Sequence, residues 1–137
     1  MKKIISVSFI VLLTMALGVW TFQYYFIAKT AKGIFESSYE SYGKEIPDEY
    51  EEMVSSYYFE LMNHRVNNDK IVREENNFHI STVKKGLKNA EVRLFYEYHT
   101  FDSEGNYYIG TTGKIPVKIR FSKNNGKWVV CGYVEDP

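Results

Sequence analysis

Cysteine is nearly absent: Cys131 is the only one in 137 residues. An internal disulfide is therefore excluded, as is a lipid on an amino-terminal cysteine, and whatever the chain folds into is held by packing alone. Histidine is scarce too. His64, His79 and His99 stand far apart, and no Cys/His group at ligand spacing offers the three or four ligands a metal needs. The only glutamine is Gln23. No acid precedes Glu36, and no internal repeat or low-complexity stretch appears.

Where charge is missing, a long apolar run stands instead. Residues 4–28 are interrupted only by Ser6, Ser8, Thr14, Thr21 and Gln23, none of them charged. About 20 apolar residues at a rise of 1.5 Å cross a hydrocarbon core of roughly 30 Å, so this run is long enough to span a bilayer. Lys2 and Lys3 precede it, whereas Lys29 and Lys32 beyond it mix with Glu36 and Glu40. The lysine bias predicts a cytoplasmic amino terminus with the rest of the chain outside. Trp20, Tyr24, Tyr25 and Phe26 crowd the outer end, where amphipathic rings favour the interface. The competing reading is a cleaved signal peptide that uses Ala16-Leu17-Gly18 and releases a secreted protein. The run continues well past Gly18, which favours an anchor over residues 1–28 and an extracytoplasmic domain over residues 29–137.

Those remaining residues make one domain of ordinary size. Aromatic residues are 17% of the chain, including 12 Tyr and 9 Phe, which supplies the apolar area that ordering requires. Formal net charge is +0 but unevenly spread. Acids dominate residues 34–60, and bases exceed acids over residues 84–127. Two solvated faces of opposite sign account for this; a basic surface meeting anionic lipid or polymer is the sharper alternative. No basic cluster or motif of a nucleic-acid binder is present.

Ala31, Ile34, Phe35, Ser38, Tyr39 and Tyr42 form one stripe at helical spacing, with Gly43 as the stop. No breaker separates this helix from the apolar run, so the two can be one rod. A second helix is predicted from Pro47, with Asp48, Glu49, Glu51 and Glu52 in its first turns and Arg65 near its end. Tyr50, Met53, Val54, Tyr57, Tyr58, Leu61 and Met62 mark its face. Residues 67–77 read as a polar loop, followed by a short strand at residues 80–83. Val92, Leu94, Tyr96 and Tyr98 then alternate with polar partners as a half-buried strand. Residues 102–106 form a hairpin connection, residues 107–121 continue extended, and Asn124-Asn125-Gly126 is a tight turn before a last strand from Trp128 to Val134. That last strand is apolar on both faces, which predicts a buried, inert Cys131.

The expected fold class is α+β: an N-terminal transmembrane helix, then two helices packed on an antiparallel sheet of three to four strands. This order resembles the NTF2-like and cystatin-like superfamilies, the final hairpin Val117-Lys118-Ile119-Arg120-Phe121 to Lys127-Trp128-Val129-Val130 in particular. The resemblance covers roughly residues 31–135 and rests on pattern. It implies a curved sheet wrapping a helix, as in small membrane-anchored bacterial proteins of that kind, and it does not fix function. Enzymes of the NTF2-like group place an Asp, His or Tyr dyad inside the cone. Here the inward residues of the alternating strand include no acid and no histidine, which speaks against proton-transfer chemistry. The Gln-x-Val-x-Gly loop of inhibitory cystatins is missing.

The chemistry left over is aromatic. Tyr57, Tyr58, Tyr96, Tyr98 and Tyr133 are candidate ligand-binding residues that could line a cleft, although a thick core is the plainer reading. Glu97 and His99 share a strand face and read as a surface ion pair. No catalytic residue, metal site or cofactor is expected. The expected role is a non-enzymatic, membrane-anchored domain making protein contacts at the cell envelope. The alternatives are a small-ligand or peptide-binding module with a tyrosine-lined pocket and, last, an NTF2-like enzyme.

Overall fold

The computed structural model describes residues 2–136, with side-chain environments from Val7 onward. The side chains of Lys2, Lys3 and Ile4, which enter the orientation argument and open the apolar run, lie outside that description. Helix α1 is a single unbroken element, Lys2–Glu40, so the apolar run and the first predicted helix are one rod. By length and composition it can cross a membrane. Its surroundings change abruptly at Ile27. From Val7 to Phe26 every side chain except Gln23 is exposed, whereas Ile27, Thr30, Ala31, Ile34, Phe35, Ser38 and Tyr39 are buried. That second set keeps the i, i+3, i+4 spacing of one helix face. The rod ends as Gly43 (φ +70°) donates its N–H to the Ser38 carbonyl at 2.7 Å, closing the Schellman bond. Tyr42 before it is also left-handed, at φ 55°.

The predicted second helix is instead two short pieces. One 3₁₀ turn spans Asp48–Tyr50, and α2 spans only Ser56–Leu61. Two causes break it. The Val130 N–H of a strand donates to the Met53 carbonyl at 2.7 Å, drawing the backbone out of the helix. Ser55 then restarts the helix, its side chain accepting the Tyr58 N–H at 3.4 Å, as an N-cap serine does. The buried face shifts accordingly. Val54, Phe59 and Met62 are buried, whereas Tyr57 is 67% and Leu61 46% exposed.

Five antiparallel strands follow, not three or four: β1 Arg73–Lys85, β2 Asn89–Phe101, β3 Tyr107–Gly110, β4 Ile115–Asn124 and β5 Lys127–Glu135. The order is β1-β2-β4-β5, with β3 also on β2. The first half of β2 pairs with β4 and its end with β3, because residues 111–114 interrupt the predicted extended run. β1 begins well before residue 80, so the last part of the predicted loop at 67–77 is strand. The inward row of β2, Ala90 to Thr100 at every second residue, is buried, as are Val117, Ile119 and Phe121 of β4. These rows close on the lower face of α1, with α2 alongside.

Register shifts interrupt the β1–β2, β2–β3 and β4–β5 ladders, the irregularities that bend a sheet. The shift between Arg120 and Phe121 decides the fate of Cys131. Arg120 pairs with Gly132 and Phe121 with Val130, which leaves Cys131 as the extra residue of a bulge. The inward phase passes from Trp128 and Val130 to Tyr133, and Cys131 is exposed. The expectation of a buried thiol is thus overturned.

Candidate functional site

An open cleft of about 900 Å³ lies where the end of α1, residues 65–72 and the start of β1 meet. At its centre Arg65 and Glu74 face each other. Arg65 Nε lies 3.0 Å from Glu74 Oε2, and Nη2 donates to Oε1 at 3.2 Å. Nη1 donates to the Glu40 carbonyl at 3.2 Å, so the guanidinium also satisfies an open end of α1. The Tyr39 hydroxyl donates to Glu74. The guanidinium sits 4.3 Å from the centroid of the Tyr42 ring and 5.3 Å from that of Tyr39, a cation–π arrangement. The left-handed Tyr42 is therefore one wall of the site.

The electrostatics follow from these contacts. Burial opposes the Arg65 charge, but the Glu74 hydrogen bond and its charge outweigh that, and the guanidinium pKa rises. Burial first, then the bond to Glu74, raises the Tyr39 pKa, so its hydroxyl stays a donor. Glu36, Glu40 and Asp69 also line the cleft, among asparagines and apolar side chains. Lys32 pairs with Glu36 at 3.5 Å on an exposed face, so Glu40 and Asp69 are the acids of the cleft without a basic partner among the described residues.

Behind the cleft is a box of rings around His64. Its centroid lies 4.1 Å from that of Tyr96, 4.7 Å from Tyr39, 5.2 Å from Phe35, 5.6 Å from Tyr98 and 5.8 Å from Phe78. Nδ1 is 3.3 Å from the Met62 carbonyl, which assigns the proton there, and the buried Nε2 has no partner. Burial lowers the His64 pKa to about 4, so the ring is neutral at neutral pH. A histidine therefore does lie inside the fold, delivered by the segment after α2 and not by the inward row of β2. It has no carboxylate partner to relay a proton, and its neighbours are hydrocarbon faces.

The predicted tyrosines separate into two groups. Tyr96 and Tyr98 are buried at 4% and 7% exposure in the His64 box. Tyr133 packs beside them, and the Tyr96 and Tyr133 hydroxyls donate to the two oxygens of Glu135 at 3.0 and 3.1 Å. Burial, reinforced by Glu135, raises both phenol pKa values. These three build core, and none lines the cleft. Tyr58 lies apart at the α2–β5 seam, its hydroxyl donating to the Cys131 carbonyl at 2.9 Å, and Tyr57 is exposed beside it. Among the described residues Glu97 and His99 form no ion pair; His99 instead lies 5.9 Å from the Tyr107 ring. No cluster of metal-ligating side chains occurs among the described residues.

Tyr39 and Arg65 read as helix positions in the sequence and Glu74 as loop, and nothing there joins the three into one site. One signal was available: Arg65 is the only base between Lys44 and Lys70, in an otherwise acidic stretch. A lone base among acids is a candidate for an internal ion pair. Chemically, the cleft offers carboxylates and ring faces but no activated nucleophile, and it suits a cationic group.

No family model matches the chain, and no curated protein matches it. Among solved structures it is similar to a designed NTF2-like protein, with a TM-score of 0.43 and 14% identity over 80% of this chain and 93% of that one. The likeness is one of fold outline alone and bears on neither the cleft nor its chemistry.

Proposed function

We propose that the chain is a non-enzymatic, membrane-anchored domain, held outside the cytoplasm, that receives a basic segment of a partner protein at the cell envelope. The observation that carries this reading is the change along α1 at Ile27. An apolar surface exposed from Val7 to Phe26 matches the hydrocarbon core and outer interface of a bilayer, and the same helix continues as the centre of the folded core. Cleavage after Gly18 would leave Trp20, Phe22, Tyr25 and Phe26 exposed to water, which favours retention of the anchor over secretion. The lysines before the run orient the domain outward.

The acidic cleft supports the partner's chemistry. Arg65 already fills one guanidinium position between Glu74, Tyr39 and Tyr42. Glu40 and Asp69 remain around it for an incoming Lys or Arg side chain. A small cationic ligand is the second reading, favoured by the same ring faces. An NTF2-like enzyme ranks last, because His64 lacks a charged partner.

Full-length protein in its native membranes tests this. It is expected to resist alkaline extraction and to be digested by protease added outside. A photo-cross-linker at Glu40 is expected to give an adduct that disappears in a Glu36→Lys, Asp69→Lys background, while one at Arg93 on the opposite sheet face gives none. Release by alkali, or adducts indifferent to charge reversal, would refute the reading.

A further inference from the structure

A second cavity, of about 400 Å³, lies at the other end of the domain, between α1 and the turn joining β1 to β2. Met15, Ala16 and Val19 of α1 and Leu87 of the turn give it apolar walls, and Lys85 and Lys123 stand at its rim beside Trp20. The Lys85 ammonium lies 3.4 Å from the Trp20 ring centroid and 5.8 Å from that of Trp128; Lys123 lies 5.5 Å from Trp128. Neither lysine is in an ion pair among the described residues. Burial and the Lys123 charge both lower the Lys85 pKa. Two like charges are thus held together above an apolar crevice without a counter-ion.

The depth of Trp20 indicates what supplies one. From Lys3 to Trp20 the helix rises roughly 25 Å, against a hydrocarbon core of about 30 Å. If the outer boundary lay as far out as Phe26, the Lys85 ammonium would sit in hydrocarbon, where an unpaired charge is strongly disfavoured. The boundary is pulled in to Trp20, or a phosphate is drawn down to the lysines, and in either case headgroup phosphates meet Lys85. Lys84 and Lys88 flank the same turn, and Leu87 at its tip is 79% exposed. The excess of positive charge selects a lipid with net negative charge over a zwitterion.

We infer that this crevice binds an anionic glycerophospholipid of the outer leaflet, its phosphate between Lys85 and Lys123 and an acyl chain along Met15, Ala16 and Val19. The inference rests on α1 being a membrane span. The experiment uses full-length protein reconstituted in phosphatidylcholine vesicles with chain-spin-labelled phosphatidylglycerol or phosphatidylcholine as the probe. The motionally restricted fraction of each label is then read by electron paramagnetic resonance. A preference of about tenfold for phosphatidylglycerol is expected at low salt, weakening as salt screens it. The K85Q/K123Q pair is expected to abolish the preference, and K85R/K123R to keep it. K84Q/K88Q, a change of equal charge away from the crevice rim, is expected to leave most of it. Equal restriction of both labels in the native protein, or a preference that survives K85Q/K123Q, would overturn the inference while the anchor reading stands. Release of the reconstituted chain by alkali would overturn both.

Discussion

His64 should make the domain acid-sensitive in a window set by its own titration. Its pKa falls from 6.5 to about 4 on folding, mainly because the ring is desolvated by Phe35, Tyr39, Phe78, Tyr96 and Tyr98. Between those values the unfolded chain carries a proton that the folded chain refuses, so stability rises with pH. The contribution is complete above pH 6.5, falls as pH drops toward 4, and levels off below. Between pH 7.5 and pH 5 this amounts to up to about 2 kcal/mol. Denaturant melts of the detergent-solubilised full chain, followed by Trp128 fluorescence, would measure it, since Trp128 is buried in the same core. His64→Phe keeps an aromatic ring in the box but cannot titrate. It should flatten the dependence between pH 7.5 and 5 even if its absolute stability differs. Glu91 and Asp102, whose pKa values are depressed, lose their contributions at lower pH and equally in both proteins. An unchanged pH slope in His64→Phe would show that the ring is hydrated or charged in the fold, and the buried neutral assignment would be wrong.

Three further expectations follow from burial and pairing. Phe59→Ala should destabilise by about 3–5 kcal/mol, the range for a buried ring, whereas Leu61→Ala, nearly half exposed, should cost less than about 1 kcal/mol in the same melts. Native Cys131 should react with a thiol reagent without denaturant, and Cys131→Ser should leave the unfolding free energy within about 0.5 kcal/mol, since a bulge residue on the wet face loses little packing. Arg65→Met should cost about 2 kcal/mol by stranding Glu74, and Glu74→Gln should cost less, because the amide oxygen still accepts from Arg65 while its NH2 donates to the Tyr39 oxygen; equal losses would mean that the pair is solvated.

Elements whose reasons are local were legible in the sequence. The α1 stripe, the β2 alternation and the Asn124-Asn125-Gly126 turn each follow from a period or a backbone preference. Asn125 and Gly126 indeed take positive φ, at 49° and 82°. The 102–106 connection is closed by the Asp102 carboxylate, which accepts the Glu104 and Asn106 N–H groups at 2.9 Å. What escaped was decided from outside the segment. β1 is an edge strand, polar on both faces over Arg73–Asn77, so β2 supplies its pairing where no alternation announces it. The second helix obeyed a helical period until Val130 took the Met53 carbonyl. Cys131 obeyed its apolar context until a bulge turned it outward. The cleft was hidden for the same reason, since Tyr39, Arg65 and Glu74 come from a helix end, a connection and an edge strand that only the tertiary fold brings together.

The charge that cancels along the chain is separated along the rod. Lys85 and Lys123 stand beside Trp20, with Lys84 and Lys88 flanking the same turn, and Glu36, Glu40, Asp69 and Glu74 gather around the end of α1. From Trp20 to Tyr39 the helix rises roughly 28 Å, about three Debye lengths at physiological salt. If α1 spans a membrane as proposed, the field of an anionic leaflet at the lysine end is spent before it reaches the cleft. A basic partner of the kind proposed would then meet the cleft's carboxylates without competition from the membrane. Because α1 is continuous through Ile27, the same helix that fixes the depth of the lysines also fixes the height of the acids, and a kink there, such as Lys29→Pro would introduce, should disturb both ends at once.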